Sequence, residues 1–311
     1  FTVRATDLAG NTGSASPAWL VTLDGTAPVA AGETVVYSAS PVAIPEWLLL
    51  INATGGAAHA ANVSAGAGGV ATYDAAGGVI SFADTVSPGG SFTYQALDAA
   101  GNASAAATVT VASAASAGAE ILVGSGTANT LAGLGGNDTL FGAGGADTLT
   151  AGAGDDHFVL TPASGLDTIA DFSKTGANGN DSIDLHGFLL AHHTGPGALS
   201  SMVTVTTGGA AGTSIAGADV VVWNIGAQPN DKNSINDAAE IDAFLASQQG
   251  SFDGGVLIVA YSGSGANAEV ALYFDSDANT SSAGADASLI AVFDNQVLTG
   301  NLFSVDDFAV I

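Results

Sequence analysis

The chain has 311 residues and a mass of 30.0 kDa, enough for about two domains at roughly 150 residues each. Three Lys+Arg stand against 29 Asp+Glu, a formal charge of −26, so no cationic patch exists to grip a nucleic-acid backbone or an anionic membrane surface. A mean hydropathy of +0.40 with 47% hydrophobic residues excludes an acidic disordered tail, and zero cysteines exclude disulfides and thiolate metal sites.

A chain this acidic and without disulfides needs another staple outside the cell, and its charge suggests divalent cations. No apolar run reaches the roughly 18 residues of a membrane-spanning helix. The chain opens on Phe1 with neither Met nor a signal peptide and is expected to be part of a longer protein.

Two N-terminal stretches parallel each other, Phe1 to Leu23 and Ser91 to Val111. Each alternates apolar residues, turns at D-x-A-G-N and alternates again, the pattern of a β-hairpin. Residues 1–25 then read as the last hairpin of a truncated module, and residues 26–113 as a small β-sandwich. With the Asp24-Gly25-Thr26-Ala27-Pro28 linker, these segments resemble the bacterial Ig-like and cadherin-like tandem repeats of large surface adhesins. That resemblance implies calcium at Asp7, Asp24 and Asp98. The alternative is that these residues form turns by bonding their own backbone.

Residues 114–119 are Ala, Ser and Gly and read as a linker. Beyond them the period becomes nine, in rows GSGTANTLA (124–132), GLGGNDTLF (133–141), GAGGADTLT (142–150) and AGAGDDHFV (151–159). Asn129, Asp138, Asp147 and Asp156 form one column, and Leu131, Leu140, Leu149 and Phe158 another. Gly136, Gly145 and Gly154 form a third. A flexible linker would not keep apolar residues in phase through four rows. A phosphate loop would need a Lys, and none occurs between Arg4 and Lys174.

These rows follow G-G-x-G-x-D-x-U-x, and on them the chain is identified as resembling the RTX family. The resemblance implies a parallel β-roll over residues 120–175, with two nonapeptides per coil and Ca²⁺ between turns eighteen residues apart. Its expected ligands are Asn129, Gly133, Gly135, Asp138, Gly142, Gly144, Asp147, Gly152, Gly154 and Asp156. Glycines bring carbonyl oxygens close and Asp adds a hard anionic oxygen, which suits Ca²⁺. Asp138 and Asp156 should share one edge, and Asn129 and Asp147 the other, where Asn129 lacks a charge. Consensus position two is occupied by Ser125, Leu134 and Ala143 before Gly152, so Gly135 and Gly144 are expected to keep the turn permissive.

Residues 165–188 resemble the segment that follows the roll in serralysin-like proteins. Asp167, Asp171, Asp181 and Asp184 match its acidic positions and either complete terminal calcium sites or decorate strand ends. Residues 176–311 should be a β-rich cap, with strands near 202–206, 220–225 and 256–261 and one helix at 236–248. Asp275, Asp277 and Asn279 have the 1-3-5 spacing of an oxygen-ligand loop, with Asp286 at position twelve. Thr280 replaces the glycine an EF-hand needs, so the segment is read as strand-turn-strand with candidate calcium ligands. The terminal Asp306-Asp307-Phe308-Ala309-Val310-Ile311 resembles a type I secretion signal, the alternative being an ordinary last strand.

Five histidines occur, at positions 59, 157, 186, 192 and 193, with no H-E-x-x-H and no G-x-S-x-G, so no enzyme is expected. The combined expectation is a mainly β, calcium-binding surface protein secreted by bacteria, an adhesin or biofilm component. Its partners would be the type I secretion machinery, an unidentified surface ligand and possible copies of itself, with no nucleic acid and no membrane insertion. A self-assembling surface layer or fibre, or the C-terminal part of a secreted RTX hydrolase, stays open as an alternative.

Overall fold

The computed structural model describes residues 4–15, 24–85, 88–174 and 179–187, and beyond these the strands at 197–198, 202–205, 220–226, 256–262, 269–275, 287–293 and 308–310. The chain is mainly β, and the described residues hold one short helix. The helix expected at 236–248 lies outside the described residues.

The first unit contains β1 (Glu33–Tyr37), β2 (Val42–Pro45), α1 (Glu46–Leu50), β3 (Ala57–Ala65), β4 (Gly69–Asp74), β5 (Val79–Asp84), β6 (Gly90–Asp98) and β7 (Ala107–Ala112). Strands β6 and β7 form the hairpin expected from their alternation, with Phe92 opposite Val109 and the D-x-A-G-N turn between them. Strands β2, β5 and β4 make a separate three-stranded antiparallel sheet. Its Ile44, Ile80 and Phe82 pack in one buried cluster with Val35, Phe92, Tyr94 and Val109 of the other sheet. At about 1.5–3 kcal/mol for each large apolar side chain removed from water, this layer is what holds the two sheets together.

The second unit is the roll. Strands β8 (Ile121–Ser125), β10 (Thr139–Ala143), β12 (His157–Leu160) and β14 (Ser182–Leu185) run parallel along one side. Strands β9 (Thr130–Ala132), β11 (Thr148–Thr150) and β13 (Asp167–Ile169) run parallel along the other. The coil is eighteen residues long where Thr139 pairs with Ile121 and His157. It lengthens where Thr148 pairs with Thr168 and where His157 pairs with Ser182, and loops absorb the extra residues. Inside, Leu122, Leu140, Phe158 and Ile183 face Leu131, Leu149 and Ile169 in one buried cluster.

The two units share a sheet. Strand β1 pairs in parallel with β7 on one side and with β8 on the other, so a ten-stranded sheet runs from the sandwich into the roll. Residues 114–119, where composition suggests a linker, lie outside any strand, and the chain passes through them from β7 to β8, which flank β1 in the same sheet. The outer face of the roll's first sheet is also apolar. Val123, Phe141 and Val159 join the cluster of Val42, Ile44, Leu48 and Leu49. Trp47 of α1 meets Phe141 edge-on, with ring centroids 5.3 Å apart, and stacks on His186 at 3.8 Å.

The cap contributes β15 (Gly197–Ala198), β16 (Met202–Val205), β17 (Val220–Gly226), β18 (Val256–Ser262), β19 (Glu269–Asp275), β20 (Ala287–Phe293) and β21 (Phe308–Val310). Strands β19 and β20 pair antiparallel, as expected of the two strands of that segment, and residues 276–286 between them lie outside the described residues. Strand β20 pairs with β13, and β21 pairs with β14, so both roll sheets continue into the cap. Phe172 meets Phe293 edge-on at 5.5 Å across this end, and Phe308 of the terminal segment is fully buried in β21. Phe158→Ala, which empties the middle of the roll, should cost about 3–5 kcal/mol in denaturant unfolding of the folded chain. A loss below about 1 kcal/mol would contradict the close packing described here.

Candidate metal centre

Every turn of the roll delivers its sixth residue to one of two edges. On the first edge the Glu120 N–H donates to Asp138 Oδ1 at 2.9 Å, the Asp138 N–H to Asp156 Oδ1 at 2.8 Å, and the Asp156 N–H to Asp181 Oδ1 at 3.2 Å. On the second edge the Asn129 N–H donates to Asp147 Oδ1 at 2.7 Å, and the Asp147 N–H to Asp167 Oδ1 at 3.1 Å. Each edge is thus a ladder in which a carboxylate of one coil accepts the backbone N–H of the coil before it. The parallel strands on either side set this spacing.

The ladders use only half of most carboxylates. The Oδ2 atoms of Asp138, Asp147, Asp156 and Asp167, and Oε2 of Glu120, are buried without a hydrogen-bond partner. Asp138 and Asp167 are 0% exposed, and Asp147 and Asp156 1%. A buried, unpartnered anionic oxygen is strongly unfavourable. Three Lys+Arg against 29 Asp+Glu cannot supply the counter-charge.

A cation would resolve this, and the donors decide its kind. Among the described residues no three His, Asp or Glu side chains converge. Two carboxylates per turn pair leave the remaining ligands to backbone carbonyls. At Gly133 a Cβ would strike both Asp138 Oδ2 and the Ala151 carbonyl oxygen, and at Gly142 it would strike Asp147 Oδ2. Glycine is required there because the carboxylate folds over the backbone. An all-oxygen cradle with flexible geometry fits Ca²⁺, which takes six to eight oxygens, better than Mg²⁺ or a nitrogen- or sulfur-seeking metal.

The predicted residues divide by role. Asp138, Asp147, Asp156 and Asp167 lie in the ladders with an oxygen to spare. Asn129 turns its Oδ1 onto its own turn, accepting from the Ser125 N–H at 2.6 Å and the Ser125 hydroxyl at 3.1 Å. Asp171 accepts from the Ala151 and Gly152 N–H groups, each at 2.8 Å, and so clamps the row that begins with Ala rather than Gly. Asp181 joins the first ladder and also accepts from the Ser173 N–H at 2.7 Å. Asp184 instead pairs with His157 Nδ1 at 3.1 Å on a strand. The post-roll acids therefore serve as ladder members, a clamp and, at the buried Asp184, the partner of a half-exposed histidine.

Gly135 and Gly144 do not carry the permissive backbone expected of them. The positive-φ residues of these rows are Leu134, at φ 74°, and Ala143, at φ 68°, at position two, with Gly136 and Gly145 at position four, whereas Ser125 at position two of the first row does not take positive φ. The Gly135 N–H donates to the Gly133 carbonyl, and the Gly144 N–H to the Ser125 carbonyl. Gly152 and Gly154 do take positive φ, at 104° and 149°.

Asp7 and Asp98 build identical turns. Each Oδ1 accepts two backbone N–H groups, from Ala9 and Asn11 or from Ala100 and Asn102, and each Oδ2 accepts the Asn amide. Asp24 accepts the Thr26 N–H at 3.0 Å. These are the turn roles expected of Asp. Asp275 ends β19. Its side chain, with Asp277, Asn279 and Asp286, lies outside the described residues.

Glu120 is the ladder member that the nonapeptide pattern does not announce. It stands eighteen residues before Asp138, in a row 115–123 (ASAGAEILV) whose Leu122 keeps the apolar column. The signal was phase, hidden by the Ala/Ser/Gly composition around it.

Burial pushes the Asp138 carboxyl up to about 7, with Asp156 and Glu120 adding to the effect and the Glu120 N–H opposing it. Burial likewise raises Asp167 and Asp181 to about 7, and Asp147 and Asp156 upward. Because folding raises these groups above the ordinary 3.8, the cation-free roll binds more protons than the unfolded chain. The stability they contribute is full below pH 3.8 and is lost as pH rises through about 7. In chelator, far-UV circular dichroism should report more β structure at about pH 5 than at about pH 8. Equal spectra would show that the ladder carboxyls are not buried as described. Leu134→Gly should add about 1 kcal/mol to denaturant stability by relieving a left-handed, exposed leucine. A destabilised variant would remove the argument from strain.

A comparison with curated proteins returns no match to the chain. Residues 116–158 match the family model of the RTX calcium-binding nonapeptide repeat, in four copies. The matched stretch begins within the row that carries Glu120, and repeats of this kind bind calcium; Asp167 and Asp181 of the ladders lie beyond it.

Proposed function

We propose that this chain is a calcium-folded, secreted bacterial surface protein, an adhesin or biofilm-matrix component. The observation that carries the reading is the paired ladder of buried carboxylates, each with one oxygen bonded to the neighbouring coil and most with the other unpartnered. When bound, calcium supplies the positive charge and oxygen coordination that these atoms lack. Without it the stacked acids repel one another, and the ordered coil gives way to an extended acidic chain suited to threading through a type I secretion channel. Extracellular-type sites of about 10⁻⁴–10⁻³ M stay empty in the cytosol and fill outside, where binding free energy becomes folding free energy.

The recurrence of one turn, built identically at Asp7 and Asp98, supports tandem extender modules ahead of the roll. Such modules give reach, which favours an adhesin over a hydrolase. In this reading the chain works by folding and positioning rather than by catalysis.

A calcium titration followed by far-UV circular dichroism tests the reading at neutral pH. The β signal should rise at roughly millimolar calcium. It should require at least about tenfold more calcium in the Asp138→Asn/Asp156→Asn double variant. A spectrum already complete in chelator, and indifferent to both substitutions, would overturn it.

A further inference from the structure

We infer that calcium bound in the roll also orders the β-sandwich, although the sandwich contributes no carboxylate to the ladders. The inference rests on the calcium reading above and concerns how far its effect travels.

The sandwich does not complete its own core. Val42 and Ile44 of β2, and Leu48 and Leu49 of α1, are at most 2% exposed. Their cluster includes Ile121, Val123, Phe141 and Val159 of the roll. Trp47 rests on Phe141 and His186, both supplied from the roll side of the seam. The backbone is shared as well. Val35, Val36 and Tyr37 are in parallel register with Ile121, Leu122 and Val123, and the Ser38 N–H donates to the Val123 carbonyl at 3.1 Å.

The sheet that closes the sandwich is therefore the sheet whose turns hold the ladders. Its strands β8, β10 and β12 enter directly from Glu120, Asp138 and Asp156. If repulsion among those acids disperses the strands, β1 loses a hydrogen-bonded neighbour and β2 and α1 lose the apolar surface over them. An apolar face opened to water and a newly unpaired strand edge both lower local stability. Calcium thus sets the stiffness of the joint between reach module and roll, acting across a seam formed by residues far apart in sequence.

Hydrogen exchange on the full chain, in chelator and in calcium above the millimolar range, tests this. Strands β10 and β12 report the roll, and β1, β2 and α1 report the sandwich. Both regions should gain protection with calcium, the sandwich by at least about tenfold. Trp47 emission, read in a Trp19→Phe/Trp223→Phe background, should shift in the same titration. A second variant, Phe141→Ser, alters the docking face while leaving the ladder and Leu140 in place. It should keep the roll's calcium response and weaken the sandwich's. A roll that responds while the wild-type sandwich is equally protected with and without calcium would overturn this inference and leave the calcium reading standing. No response in either region would overturn both.

Discussion

The structure depends on a carboxylate that is buried yet only half satisfied. One carboxylate oxygen of Asp138, Asp147, Asp156, Asp167 and Asp181 accepts an N–H from the coil before it, at the spacing that the parallel strands set. The second oxygen of Asp138, Asp147, Asp156 and Asp167, and Oε2 of Glu120, have no hydrogen-bond partner inside the protein. The geometry that builds the roll therefore also buries negative charge that no hydrogen bond of the protein meets. The apolar interior of Leu and Phe side chains favours the coil under all conditions. The ladders make the outcome conditional.

The second organising feature is a sheet with two dry faces. An ordinary nonapeptide needs one apolar position to fill the roll. In this chain the ninth position carries Val123, Phe141 and Val159 on one side of the coil, but Ala132 and Thr150 on the other. That asymmetry follows the coil period: one sheet is covered by the sandwich, while on the other Thr130 and Ala132 are exposed. Docking is written into the repeat as a departure from it.

Other departures follow the same logic. Ala151 stands where neighbouring rows have Gly, and Asp171 reaches across from the next coil to hold its N–H. Leu134 and Ala143 take a left-handed backbone, each four residues before a ladder carboxylate, Asp138 and Asp147. Longer coils after β11 and β12 cost little register because the strand pairing, rather than the loop length, fixes where each carboxylate lands.

Much of this was legible in one dimension. The ninefold columns placed Asp138, Asp147 and Asp156 on alternating edges and Leu140 and Phe158 inside, because a nonapeptide is a local rule: a turn, a carboxylate and an inward strand. The D-x-A-G-N turns and the alternating strands were readable for the same reason. The roles of Asp171, Asp181 and Asp184 were not, since three acids of similar appearance differ only in which coil they meet. Nor was Glu120, whose row keeps Gly118 and Leu122 in phase but has lost the other glycines. The sequence by itself determined that this chain would coil and that its turns would gather negative charge. Only the tertiary structure decided that β8 would pair with β1 and β13 with β20, because those partners lie far away along the chain and are chosen by buried surface and unpaired strand edges that no local period records.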